Sequence, residues 1–574
     1  MKSILLLAFA AAATWAATGF SNGYNITAVR GINHGAVKLA RTNTVTPTSA
    51  QINWGDGVTT DGYIVHPCVY CDIWGTGHTY AAAGTYTVTV TYYTGCCVSY
   101  TTKVTATVRE IGANDFIVIS VGDSVASGEG NPVIRGNPAL WSDGIGSDST
   151  CHLSTISGPA MAVSKLRAAN PGRPITFLNM ACTGAKVERA LSNSSTSQLL
   201  KARGVIGYNR SIDALFVSTG PNDIAGGFGS IVGTCADAIN CGADTTLTAS
   251  IANDISQLPA KFAEYAPSTY QALELYLTEY FDPTKDQFGN YNGACTLAVL
   301  TNDELRFLDQ TLLMPLNSTL ASVAAAQRWN LVNGIASDFR TRGLCAMPSW
   351  VTNLLGSGVN QGNIDGTGHP NADGHNAIAD RLYSSVNRNT ATTTTTFAAA
   401  TSPDLKPLGT NYLANNWINS AVQLSFASTN KLPSAGALPY YRIASTSTCA
   451  PDDRSGVPFS QPVILSNSGE HTVCYFGSNA AGKFRETAKA VRVRIDRTAP
   501  VTTASQTLKT VVFSATDTFS GVAFTDYRID NGPWLRGSSA DLGAVKPGPH
   551  TIQFCSEDRA GNREAIKSIS ISTI

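Results

Sequence analysis

Charge is what this chain has least of. Asp, Glu, Lys and Arg make up 14% of its 574 residues, and 40 basic side chains are balanced by 40 acidic ones. No Arg/Lys run or basic stripe breaks that balance, which speaks against nucleic acid as a partner. Long apolar runs are missing too. A membrane helix needs about 20 apolar residues, and Ile4–Ala13 falls short of that. With Lys2 before it and small residues after it, this run has the pattern of an export signal over residues 1–17, with cleavage after Ala13, Ala16 or Ala17. The chain is expected to be secreted and extracellular. A second Cys-x-x-Cys is also lacking beside Cys68–Cys71, where only Cys96 and Cys97 lie near. Structural bridging is therefore expected there, in place of a zinc or redox motif.

In an oxidising compartment the thirteen cysteines read as a disulfide framework. Six of them, Cys151, Cys182, Cys235, Cys241, Cys295 and Cys345, fall within residues 111–390. That even number fits three internal bridges without saying which cysteines pair. Cys555 is the odd one out.

The chain is too long for one hydrophobic core and divides by pattern. Residues 20–110 alternate as an all-β module, most strictly over Thr85–Tyr92, with a tight turn at Trp54–Gly57. From Asp115 onward, apolar runs at Phe116–Val121, Ile175–Met180, Ala214–Ser218, Ala272–Tyr280 and Trp329–Val332 alternate with amphipathic stretches. The stretches are Pro159–Ala169, Leu247–Ala263 and Asp303–Ala326. This pattern predicts a parallel sheet covered by helices over residues 111–390. A Thr/Ala-rich segment at 389–402 reads as a low-complexity linker. Beyond it, Tyr441–Ile443 recurs as Tyr527–Ile529 and Gly469–Val473 as Gly548–Ile552, so 403–497 and 498–574 are duplicated units. His471 and His550 occupy matched positions and are expected to be structural.

The chemistry concentrates in four blocks. Gly122-Asp-Ser124 follows the first apolar strand directly, where a nucleophile would stand at the carboxyl edge of the sheet. The segment "ACTGA" (181–185) follows the second strand, "GPND" (220–223) the third, and "HPNADGH" (369–375) precedes the last helix. In order and placement, Ser124, Gly184, Asn222 and His369 resemble the four blocks of the SGNH (GDSL) hydrolase superfamily. "GDSVASGEGNP", "CHLS", "YFDP" and "GLCAMPSW" are similar to its secreted actinobacterial esterase and lipase branch. The segments "WGDG" and "HTYAAAGTYTVTV" resemble a polycystic-kidney-disease-type module, and "DRTAP", "ATDTFSGV" and "EDRAGN" resemble bacterial immunoglobulin-like modules.

That resemblance implies a multidomain chain: a central three-layer α/β/α hydrolase with a flavodoxin-like parallel sheet, flanked by all-β immunoglobulin-like sandwiches. It implies bridges Cys151–Cys182, Cys235–Cys241 and Cys295–Cys345. It also implies an acyl-serine mechanism, with Ser124 as nucleophile and His369 as base. The oxyanion donors would be the Ser124 and Gly184 amides and the Asn222 side chain. The reaction requires no metal or organic cofactor. The family's acid three residues before the histidine is replaced here by Gly366, so Asp365 or a backbone carbonyl near 366 would orient His369. Asp365 is marginally preferred. The expected partner is an ester substrate met by a monomer, with polysaccharide or cell-surface contact through the flanking modules. A carbohydrate acetylesterase, or a non-catalytic adhesin on a hydrolase scaffold, are the other readings.

Overall fold

The computed structural model describes residues 21–574 apart from 44, 66–69, 96–97, 188–197, 208–209, 211, 224–252, 254, 261–273, 297–299, 390–392, 446, 451–454 and 481–485. The signal-like residues 1–17, Cys68, Cys96, Cys97, Cys235 and Cys241 therefore lie outside the described residues, as does most of the Leu247–Ala263 stretch. The chain is multidomain and rich in strands. It forms two compact units, one ending at Thr390 and one beginning at Ala391. Among the described residues no helix is long and apolar enough to cross a membrane.

In the first unit, residues 21–109 form eight strands hydrogen-bonded in one continuous order. Its long hairpin, Gly84–Thr94 with Val98–Arg109, buries every second residue, as the alternation of threonine with valine and tyrosine predicts. Trp54, Ile52, Leu39, Ile73 and Val90 are fully enclosed. His78 stacks on Trp54 and bonds the Asp56 carboxylate at 2.8 Å, closing the Trp54–Gly57 turn as a structural residue.

The same unit contains a five-stranded parallel sheet. Its strands are β1 (Phe116–Gly122), β2 (Ile175–Asn179), β3 (Ala214–Ser218), β4 (Leu275–Thr278) and β5 (Asn330–Val332), in the order β2-β1-β3-β4-β5. β1 and β3 are buried along their whole lengths, which is why they read as unbroken apolar runs. The helices that bear on the site are α1 (Ser124–Ser127), α2 (Gly158–Ala169), α3 (Gln198–Ile206), α4 (Met314–Gln327), α5 (Leu354–Gln361) and α6 (Ala372–Asn389). The helical stretch expected over Asp303–Ala326 is interrupted by a π turn at Leu308–Leu313, just before Pro315, whose nitrogen has no proton to donate.

The second unit is built of two pairs of sheets around separate cores, one holding Leu424, Val473 and Val493 and the other Val511, Ile552 and Ile571. Here the linker expected at 389–402 is corrected. Thr393–Ser402 is a ten-residue strand paired antiparallel along its length with Ala421–Asn430. The run that looks low in complexity is rich in threonine, whose branched Cβ favours extended backbone once a neighbouring strand is present.

Candidate functional site

The site is assembled where β1, β2 and β3 end side by side. Gly122 closes β1 with φ +143°, and a Cβ there would stand 2.0 Å from the Ser218 carbonyl oxygen. Only glycine permits that approach. Its N–H and C=O both bond the Gln198 side chain, at 2.7 and 2.8 Å, anchoring α3 beneath the loop. The Cys182 N–H donates to the Gly122 carbonyl at 3.1 Å, and the Asp123 N–H donates to Ser218 at 3.1 Å. These bonds tie the "ACTGA" loop and the end of β3 to the "GDS" loop.

Asp123 caps α1, its carboxylate accepting the Val125 N–H, and Ser124 is the first helical residue. Asp123 is fully buried, and burial raises its pKa to about 7 against hydrogen bonds from Tyr280 and Val125. Its carboxylate bonds Tyr280 and the Val125 N–H, so it orients the loop.

Ser124 Oγ and His369 Nε2 are 2.8 Å apart. They are separated by 245 positions in the chain, and the segment before α6 folds back across the loop after α1. Gly130 makes that crossing possible, because a Cβ there would meet the Gly366 carbonyl at 3.0 Å and His369 Cβ at 3.2 Å. Burial lowers the His369 pKa. The Glu129 charge, the Thr367 and Asp365 carbonyls and the Asp365 charge oppose that shift. Nδ1 is buried and makes no hydrogen bond of good geometry. Asp365 itself is exposed, and its N–H is held by Asn363. Among the described residues no hydrogen bond joins its carboxylate to His369. Of the two orienting groups considered, it is the main chain that faces the imidazole.

Gly184 adopts φ +69° at the tip of its turn, with open space around its Cα and no partner for its N–H among the described residues. Asn222 follows β3 and donates one amide N–H to the Ala185 carbonyl at 3.1 Å, so it is fixed against the loop of Gly184. Asp223 accepts the Val187 N–H with both oxygens, at 3.0 and 3.1 Å. The disulfide Cys151–Cys182 clips the "CHLS" loop to the same place. Cys345 is also bridged, while the side chain of Cys295 and both Cys235 and Cys241 lie outside the described residues. A further bridge, Cys449–Cys474, was not expected, and Cys555 is a buried free thiol beside the Arg563 guanidinium. These bridges fit an oxidising environment.

Two residues of the site, Glu129 and Gln361, escaped the motif reading, while His152 lies within the "CHLS" segment already singled out. Glu129 is 0% exposed and accepts from His152 at 2.5 Å and from Gln361 at 2.7 Å. Burial works against its ionised form, but the His152 hydrogen bond and the His369 and His152 charges outweigh it and hold its pKa low. His152 stacks on Trp141 and stays basic through Glu129, despite burial. An acid enclosed in "GEG" directly after a serine loop was the available signal for Glu129, whereas Gln361 had none. His375 lies apart from the chemistry: its Nδ1 accepts the Gly158 N–H at 3.3 Å at the start of α2, and burial lowers its pKa to about 3. A cavity of 660 Å³ lined by Asp338, Trp350, Arg381 and Arg388 includes neither Ser124 nor His369, so the site is marked by its contacts and not by cavity size.

No family model and no curated protein matches the chain. Among solved structures, fibronectin(III)-like modules of Clostridium thermocellum CbhA share 12% identity over 28% of this chain and 87% of that one, with a TM-score of 0.16. A cytokine receptor complex shares 14% over 27% of this chain and 92% of that one, with a TM-score of 0.15. The 2,6-sialyltransferase of Vibrionaceae Photobacterium sp. JT-ISH-224 shares 11% over 53% and 64%, with a TM-score of 0.14. Similarities this low carry no argument about activity, which rests on the site's own geometry.

Proposed function

We propose that the chain is a secreted serine ester hydrolase of the SGNH (GDSL) type, cleaving carboxylic esters through an acyl-serine intermediate. The observation that carries the reading is the 2.8 Å contact between Ser124 Oγ and His369 Nε2 at the carboxyl edge of a parallel sheet. A serine hydroxyl attacks an ester only when a base takes its proton, and a neutral imidazole at this distance is that base. The lowered pKa keeps His369 neutral near pH 7. As Ser124 Oγ bonds the carbonyl carbon, its proton passes to Nε2 and negative charge moves to the carbonyl oxygen. The Gly184 N–H, without a partner among the described residues, and the remaining Asn222 amide N–H would receive that charge. His369 then protonates the departing alkoxide, and the same imidazole activates the water that frees the acid from Ser124.

Labelling by a fluorophosphonate and hydrolysis of p-nitrophenyl acetate, butyrate and palmitate test the reading together. Ser124→Ala should lose both labelling and turnover. Persistent labelling of that variant moves the nucleophile elsewhere, and a wild-type protein that hydrolyses none of the esters overturns the activity.

A further inference from the structure

The C-terminal module holds three carboxylates with no part in ester chemistry. Asp496, Asp517 and Asp558 offer oxygens that all lie within 4.8 Å of one another. Asp496 is 0% and Asp558 2% exposed. Among the described residues none of the three forms an ion pair with lysine or arginine. The guanidinium of the exposed Arg559 lies against Gly521. Buried carboxylates this close repel unless they are protonated or bridged by a cation.

The surrounding donors favour the ionised form. Asp496 accepts the Thr498 N–H and hydroxyl at 3.0 and 2.7 Å and the Ser520 N–H at 2.9 Å. Asp558 accepts the Asn562 N–H and amide at 2.8 and 2.7 Å. Asp517 Oδ2 accepts the Phe519 and Gly521 N–H groups at 3.1 and 2.8 Å. Among the described residues its Oδ1 is buried and has no partner. A second oxygen is in the same position: Ser520 is 4% exposed, and its hydroxyl lies by the Asp496 carboxylate without reaching hydrogen-bond geometry to any group among the described residues.

The preceding module supplies an internal comparison. Its Thr395 N–H bonds Glu486 and its Lys489 bonds the Thr395 carbonyl, just as the Thr502 N–H bonds Glu564 and Lys567 bonds the Thr502 carbonyl. In that correspondence Asn430 matches Asp517, since each side chain accepts the N–H two residues on, from Leu432 and from Phe519. Asn479, directly before Ala-Ala-Gly, matches Asp558, directly before Arg-Ala-Gly. The fold is thus made with neutral amides at two of these positions. The carboxylates of the last module supply something the amides do not: negative charge around a point lined by oxygen.

We propose that Asp496, Asp517 and Asp558, with the Ser520 hydroxyl, bind one calcium ion that ties the segment entering the last module to two of its loops. The donor set is all oxygen, which selects hard cations over zinc or copper. Calcium takes about six to eight oxygens in flexible geometry at about 2.3–2.6 Å, which suits carboxylates drawn from a junction and two loops, while magnesium demands a near-ideal octahedron at about 2.0–2.1 Å and keeps several waters. Asp496 lies between strands Lys489–Ile495 and Val501–Gln506, its carbonyl accepts the Asn562 amide at 2.7 Å and its carboxylate the Ser520 N–H at 2.9 Å, so the ion would brace a junction already joined by hydrogen bonds.

The test uses the full chain after chelation and dialysis. Calcium chloride should bind with saturable heat at a Kd of about 10⁻⁴–10⁻³ M, typical of extracellular modules. It should also slow tryptic cleavage after the exposed Arg497 at least severalfold. The Asp517→Asn/Asp558→Asn double variant copies the amides of the preceding module and should fold, yet lose both effects. Wild-type protein whose calorimetric and proteolytic profiles ignore 10 mM calcium (about ten times the weaker of those Kd values) overturns the proposal, as does a double variant that binds like the wild type.

Discussion

Around Ser124 and His369, single charges decide how the imidazole titrates. The base must be neutral to accept the serine proton, and it must be stabilised once protonated. Glu129 serves the second need from within the protein, since its buried charge raises the His369 pKa. Glu129→Gln should move the acid limb of the kcat/KM profile to lower pH, because burial then acts on His369 with less opposition. It should also lower kcat, by about tenfold for each unit of pKa moved. An unchanged acid limb would remove Glu129 from the electrostatics of the site. Asp365→Asn should cost less than about tenfold in kcat, since its carboxylate makes no bond to the ring, whereas loss of a true triad acid costs up to about 10⁴. Asp123 answers to pH in the opposite sense. An unfolded Asp titrates near pH 3.9, and burial lifts Asp123 to about 7. Its contribution to stability is therefore full below about pH 4 and lost as pH rises through 7. Asp123→Asn should flatten that decline, as followed by urea midpoints from pH 4 to 8.

At the level of elements, what could be read from the chain and what could not separate by the range of the contacts. The three central parallel strands, β1, β3 and β4, announced themselves because both faces of each are covered, so apolar residues follow one another without alternation, while the edge strands β2 and β5 are only partly buried and showed as shorter apolar runs. Ser124 and His369 were legible through short motifs placed beside those strands. The Glu129–Gln361 bond spans 232 positions, and no periodicity within α5 or the "GEG" loop encodes it. α5 is in fact inverted: Ser357, Asn360 and Gln361 are buried while Leu355 and Val359 are 70% and 72% exposed, so a reading by amphipathic face would turn it the wrong way. The threonine run at 393–402 failed for a different reason, since composition suggested a linker where pairing with Ala421–Asn430 was decisive. The meeting of β1 with β3 offers an element-scale test. Gly122→Ala would drive a Cβ into the Ser218 carbonyl at a φ that side chains avoid, and should destabilise the chain by about 3 kcal/mol or more. A denaturation midpoint close to that of the wild type would show that the loop relaxes freely.

Across the whole molecule, the sequence boundary near residue 110 does not separate two independent bodies, because residues on both sides belong to one compact unit. Arg109, at the end of the last strand of the β module, donates to Asp115 at 2.6 Å and to Thr176 of β2 at 3.0 Å. Asp115 is 1% exposed. Tyr63 donates to the Pro138 carbonyl at 2.9 Å, and the Gly77 N–H to that of Ser142 at 2.9 Å, so the β module also holds the segment leading to His152. At Gly77 a Cβ would come within 2.2 Å of the Ser142 oxygen, which shows how closely the two backbones approach. A fragment beginning at residue 111 keeps the four motif blocks but leaves Asp115 buried without its guanidinium. Arg109 is one-third exposed and Asp115 keeps the Thr176 hydroxyl. The loss is therefore smaller than the cost of breaking a fully buried pair, about 3–5 kcal/mol. Even about 2 kcal/mol is a sizeable part of the stability of an ordinary domain. A fragment of residues 21–390 should therefore match the full chain on p-nitrophenyl butyrate. A fragment of residues 111–390 should unfold at a clearly lower urea concentration and lose activity on mild warming. Arg109→Gln in the full chain separates the ion pair from the rest of the module, since it should reproduce most of the loss with every other contact intact. If the shorter fragment and the longer one unfold at the same midpoint, the β module is an appendage to the site and not part of its support.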